Sequence, residues 1–258
     1  MRKKYLIAAM AIMALSALVA AGTAGARGPG NNLSGLDVEF NPETVSAAQP
    51  SKGGLFIETT TTDSTDAGTP TSPGVQPDGV DDVQIDFDDS ITITRSTVPE
   101  CSVSLIGLTT QAAMKACGQA HLGGGSATLC AGGGGGPCSY ATNNTFQAVV
   151  TAFRGPGTTI LLHGRNDEAS NTTILTADVK NSPPGLPEDY GKRVDVPVGP
   201  ILGGAASITD FTVNINNGNF IRATCDDGDT TWHYRAFFDY TAPEANDTVT
   251  DTQTCTPA

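Results

Sequence analysis

Apolar and polar residues alternate with a period of two along much of the chain, the signature of strands with one buried face. Leu36, Val38 and Phe40 alternate with polar neighbours up to Asn41-Pro42, and Leu55–Thr61 is a second β-prone run. Val83, Ile85 and Phe87 alternate with Gln84, Asp86 and Asp88, and Ile91 and Ile93 continue past Asp88-Asp89-Ser90, a tight turn or a bulge. The second half is denser. Strands are expected over 146–153, 158–162, 172–179, 193–198, 208–215, 220–225, 231–240 and 248–255. Trp232, Tyr234, Ala236, Phe238 and Tyr240 share one face of their strand and are expected in the core.

Turn residues punctuate this pattern, and Asn217-Gly218 and Asp227-Gly228 are strong hairpin dipeptides. One short helix is expected over Gln111–Cys117, capped by Thr109 or Thr110 and ended by Gly118. Glycine tracts at Gly123–Ser126 and Gly132–Gly136 flank Ala127–Cys130, and the second reads as a loop before Pro137-Cys138. Residues 62–82 are Thr, Asp, Gly and Pro with little apolar content, which predicts a long mobile loop. Many short strands between turns define an all-β fold: an antiparallel β-sandwich, jelly-roll or Ig-like, with one short helix.

The N-terminus adds a compartment. Arg2-Lys3-Lys4, the apolar run Leu6–Ala21 and Ala24-Gly25-Ala26 have the layout of a cleavable signal peptide. The expected organisation is a signal peptide at 1–26 and a single β-sandwich domain at 27–258, secreted and extracellular, with no integral membrane span after cleavage. The six cysteines fit an oxidising compartment. Six allow fifteen disulfide connectivities; proximity along the chain favours Cys101–Cys117, Cys130–Cys138 and Cys225–Cys255. No Cys-x-x-Cys pair supports a zinc site.

Charge narrows the partners. The chain of 258 residues carries 27 acidic and 14 basic side chains, a net −13. Removing the leader, with its three basic residues and no acid, takes this to −16. Such a surface repels nucleic-acid phosphates and anionic membranes. Asp81, Asp82, Asp86, Asp88 and Asp89, near Asp78, supply oxygens of the kind calcium requires, although EF-hand spacing is absent and Asp86 and Asp88 fall on the polar face of a strand. Calcium is the one cofactor expectation. His121, His163 and His233 are candidate bases, but no nucleophile elbow or His-Glu-x-x-His helix accompanies them, so no catalytic residue is assigned.

Several segments carry a wider resemblance: Leu36-Asp37-Val38-Glu39-Phe40-Asn41-Pro42, Gln84-Ile85-Asp86-Phe87-Asp88, Val98-Pro99-Glu100-Cys101 and Ala116-Cys117-Gly118 in the first half. Val150-Thr151-Ala152-Phe153, Ile160-Leu161-Leu162-His163, Tyr190-Gly191-Lys192-Arg193-Val194-Asp195-Val196-Pro197 and Thr209-Asp210-Phe211-Thr212-Val213 follow. In these the chain resembles a group of uncharacterised secreted β-rich proteins of high-GC Gram-positive bacteria. The resemblance implies a single sandwich-like domain in which Cys101, Cys117, Cys225 and Cys255 are shared and Cys130 and Cys138 are an addition. It brings no activity with it.

The functional expectation is therefore a secreted non-enzymatic β-sandwich protein, a structural or interaction module of the cell envelope or extracellular space, with an envelope protein or glycan as partner. Two other readings stand beside it. One is a carbohydrate- or calcium-dependent ligand-binding domain, motivated by the Asp cluster and the aromatics near Trp232. The other is a secreted hydrolase with non-contiguous catalytic groups.

Overall fold

The computed structural model describes residues 32–63, 67–69, 72–94, 97–131, 137–138, 145–226, 228–241 and 246–258. The expected leader and the second glycine tract lie outside these. The first half forms β1 (Asn32–Asn41), β2 (Thr44–Val45), β3 (Ser51–Asp63), β4 (Ala67–Thr69), β5 (Ser72–Val75), β6 (Val80–Asp88) and β7 (Ile91–Ile93). Helix α1 (Thr110–Cys117) leads through a 3-10 turn into β8 (His121–Cys130), followed by β9 (Pro137–Cys138). Then come β10 (Thr145–Arg154), β11 (Thr159–Asn166), β12 (Asn171–Asn181), β13 (Tyr190–Pro197) and β14 (Ser207–Ile215). The chain ends with β15 (Ile221–Ala223), β16 (Thr231–Tyr240), β17 (Asp247–Thr254) and β18 (Thr256–Pro257).

Among the described residues the fold is all-β and mostly antiparallel, with one short α-helix; β18 and β2 form a short parallel pair. A 13-stranded sheet runs β17-β16-β6-β13-β12-β11-β10-β8-β14-β3-β15-β7, with β1 paired to β3. This one sheet rolls over on itself, so its two halves face each other across a shared core as the layers of the expected sandwich. Alternation explains the rolling: β16 buries every second residue from Trp232 to Tyr240, and all of these point into the roll. Phe40 meets Trp232 edge to face at 5.1 Å, and Phe87 meets Tyr234 at 6.3 Å. Geometries of this kind add to the burial of the rings.

The roll closes without a main-chain ladder. The free edge of β1 lies against the inward side chains of β17. Ser34 N–H donates to Asp247 Oδ2 at 3.1 Å and Val38 N–H to Asp251 Oδ2 at 2.8 Å. Gln253 takes both main-chain groups of Phe40, accepting from its N–H at 2.6 Å and donating to its carbonyl at 2.9 Å. Alternate side chains of β17 thus satisfy an edge that would otherwise expose unpaired N–H groups.

Two bridges pin the margins. Cys101–Cys117 fastens α1 to the preceding segment on the outer face of the sheet, where Leu105, Ala113, Ala120 and Phe153 form a second apolar cluster. Cys225–Cys255 ties the chain after β15 to the end of β17. Cys130 is also disulfide-bonded, and no described cysteine is free; the side chain of Cys138 lies outside the described residues.

Some local expectations change. Thr109 is the helix cap, its hydroxyl accepting from Ala112 N–H at 3.2 Å, but Gly118 stays right-handed and continues into the 3-10 turn. Asn217-Gly218 does not make a hairpin: β14 and β15 both pair with β3, so the dipeptide marks a kink within one line of pairing. Gly123 and Gly125 lie inside β8 because β14 passes so close that a Cβ would sit 1.8 Å from Asn214 O and 2.0 Å from Thr212 O. Within the stretch expected as a loop, the backbones of β4 and β5 pair, and β5 also pairs with β9.

Candidate functional site

The interior is filled at one end and hollow at the other. Phe40, Phe87, Trp232 and Tyr234 occupy the first end. On β8, β10 and β11 the inward positions fall to Ala127, Ala148 and Gly164, which leave space that no other side chain fills. The result is an apolar chamber of about 200 Å³ lined also by Leu129, Phe146, Val150, Leu162, Leu175, Ile208 and Phe211. Leu162, Leu175, Ile208 and Phe211 also border a second, smaller space of about 60 Å³, reaching Val83, Val196 and Phe238. The two spaces adjoin across these four shared side chains.

The mouth of the chamber has two lips. One is the β11–β12 turn, held by Asn166, whose amide donates to Gln147 O at 2.8 Å and accepts from Ala169 N–H at 2.6 Å. Asn171 and Thr173 complete this side. The other lip is Ile201-Leu202, where Ile201 bridges Ala206. Leu202 is 53% exposed and holds a backbone φ of +50°, a conformation that costs a branched residue about 1–3 kcal/mol. A large apolar side chain is thus held in an unfavourable conformation beside an apolar cavity. The inward Ala and Gly positions were visible in the sequence one by one, but their convergence depends on the register of three strands.

The residues singled out from the sequence lie elsewhere, mostly on outer faces. Asp86, fully buried, joins β6 to its neighbours. It accepts from Arg193 Nε and Nη2, each at 2.8 Å, from Arg235 Nη1 at 3.0 Å and from Ser182 Oγ at 2.8 Å. Asp88 accepts from Ser90 N–H and hydroxyl, making Asp89-Ser90 a tight turn, and from His233 N–H at 3.0 Å. Asp82 accepts from Gln84 at 2.7 Å, and burial raises its pKa. Asp81 is exposed and accepts from Thr241 Oγ1; Asp89 is exposed too, and burial of part of its carboxyl with the nearby charge of Asp88 raises its pKa. Among the described residues no three His, Cys, Asp or Glu side chains are grouped as metal ligands.

His163 is fully buried under the loop before α1, with Nε2 3.0 Å from Leu108 O, and His121 packs on Phe153. Among the described residues no histidine or carboxylate lines the chamber. Trp232, Tyr234, Phe238 and Tyr240 of β16 are interior, so they do not form an exposed sugar platform.

A second carboxyl group cluster, absent from the sequence reading, lies on β1, β3 and β14. Burial raises the pKa of Glu58, as do the charge and hydrogen bond of Asp210 and the charge of Asp37. Asp210 is raised too, by burial, while its hydrogen bond with Glu58 lowers it. A carboxyl whose folded pKa is raised binds its proton more tightly folded than unfolded. The stability this brings is present in acid and is lost as pH rises from the ordinary carboxylate range, about 4.3, through the folded value. Glu58→Gln, which mimics the protonated form, is expected to flatten that decline and raise stability at neutral pH by less than about 1 kcal/mol. Urea melts across a pH series would check this; an unchanged slope would contradict it.

The chain matches no protein-family model, no curated protein and no solved structure. Among the described residues no helix is long and apolar enough to cross a membrane.

Proposed function

We propose that this is a secreted, non-enzymatic binding protein that takes a small apolar ligand into the open end of its rolled sheet. The chamber carries this reading: a concave, apolar, preformed site with a few polar groups at its rim is the usual form of a small-molecule site. The leader-like N-terminus and the bonded cysteines support an extracellular place of action, in keeping with an interaction module of the envelope or its surroundings. A hydrolase reading has no titratable group in the chamber to act as base or nucleophile.

The test is a titration of the secreted protein with N-phenyl-1-naphthylamine, which brightens in apolar sites. Saturable binding is expected. Gly164 offers a clean block, because a Cβ there would meet only Thr173 O at 3.6 Å, so a larger side chain enters the chamber without striking backbone. Gly164→Phe should therefore abolish dye binding while leaving the melting temperature near that of the wild type. Unchanged dye binding in a folded Gly164→Phe protein would refute the proposal.

A further inference from the structure

We infer that the chamber selects a single unbranched aliphatic chain bearing an uncharged head group; this rests on the binding reading above and adds the class of ligand. Shape gives the first half. The main space of about 200 Å³ adjoins a smaller one of about 60 Å³ across Leu162, Leu175, Ile208 and Phe211. Drug-sized ligands occupy sites of roughly 300–1,000 Å³, so these spaces are small for a polycyclic molecule, and two that adjoin suit a chain. Its walls are Ala, Val, Leu, Ile and Phe, which attract methylene groups without directing them.

Charge gives the second half. In a chain with a net charge of −13, the sequence has no Asp, Glu, Lys or Arg from Leu122 to Phe153, nor from Val196 to Thr209. These two stretches supply β8, most of β10, the Ile201-Leu202 lip and the start of β14, and they converge on the chamber. Every polar group lining the two spaces is neutral: Asn166, Asn171 and Thr173 at the mouth, Thr59 and Thr61 beside the smaller space. The β11–β12 turn, which forms one lip, carries charged groups next to the lining residues in sequence. Arg165 is held on the outer face by Asp167 at 3.0 Å and by Thr172 Oγ1 at 3.0 Å, and Glu168 is exposed. Among the described residues lining the rim a carboxylate head would meet no cation, and it would face a negative overall field, while an ammonium head would lose water without gaining an ion pair there. A hydroxyl, amide or ester head loses little and can bond to Asn171 or Thr173.

Displacement of bound N-phenyl-1-naphthylamine tests this with four competitors: 1-decanol, decanoate at a pH well above its titration, decyltrimethylammonium, and borneol as a compact alcohol. Decanol is expected to displace the dye at concentrations at least about tenfold lower than any of the others, a difference of roughly 1.4 kcal/mol. Asn171→Lys, which puts a cation at the mouth, should lower the decanoate midpoint relative to that of decanol at least about fivefold. Decanoate or decyltrimethylammonium matching decanol would overturn the neutral head group. Borneol matching decanol would overturn the chain. An Asn171→Lys protein with no gain for decanoate relative to decanol would overturn the head group's place at the mouth. Failure of the dye to bind at all is a different result, and refutes the binding reading itself.

Discussion

Asp86→Ala is expected to cost about 3–5 kcal/mol of stability, the largest loss for any single polar side chain in the molecule. The carboxylate is fully buried and accepts from four donors on three other segments: Arg193 of β13 through two nitrogens, Arg235 of β16, and Ser182 just after β12. Arg193 also donates to Gln84. Alanine would leave two guanidinium groups side by side with little water to solvate them, and the repulsion between them adds to the lost bonds. Removing one partner of a buried ion pair is costly for this reason, even where the intact pair adds little over an apolar replacement. Asp86→Asn keeps acceptor capacity on one oxygen and should fall between wild type and Asp86→Ala. Asp81→Ala, at an exposed carboxylate with one neighbour, should change stability by no more than about 0.5 kcal/mol. Urea melts of the three proteins test the order. Equal losses at Asp81 and Asp86 would show that the buried cluster does not hold β6 in place.

Asp86 also shows where sequence reading reaches its limit. The alternation of 83–88 placed it on the polar face of a strand, and the structure agrees. Its partners are 107 and 149 residues further along the chain, and no local pattern announces them. A run of aspartates therefore suggested oxygens for a cation, while the register of β13 and β16 brings two arginines to the central one. The strands themselves were legible because Val, Ile, Thr and the aromatics recur with period two beside turn residues. β8 was not, because Gly123–Gly125 shows only a glycine tract with no period-two pattern until β14 is seen passing against it. The chamber was hidden for a related reason. It is made by small residues on three strands, and a small residue means nothing until the neighbour it fails to reach is known.

Gln253→Leu is expected to release β1 from the rest of the roll. Leucine keeps the size of the side chain and its packing but can neither donate nor accept. The N–H and carbonyl of Phe40 would both lose their partner, as would the hydroxyl of Tyr234, which donates to the same Oε1 at 3.3 Å. Phe40 is fully buried, so water cannot readily take over these bonds. Leaving a buried main-chain group unsatisfied costs about 1–3 kcal/mol, and two such groups put this variant in the same range as Asp86→Ala. The effect should be uneven. Amide exchange at Phe40 and Val38 should accelerate most, since their N–H groups bond only to β17 side chains at this edge, whereas the amides of Ile57 and Ile215 in the β3–β14 ladder should follow global unfolding. Thr252→Ala, on the exposed face of the same strand, is the control and should exchange like wild type. Uniform acceleration across the sheet would mean that β1 and β17 part only when the whole fold opens. Selective acceleration would make the seam the weakest joint of the roll. It would then be opened by a single side chain, because a closure made of side chains has no ladder of neighbouring bonds to share the loss.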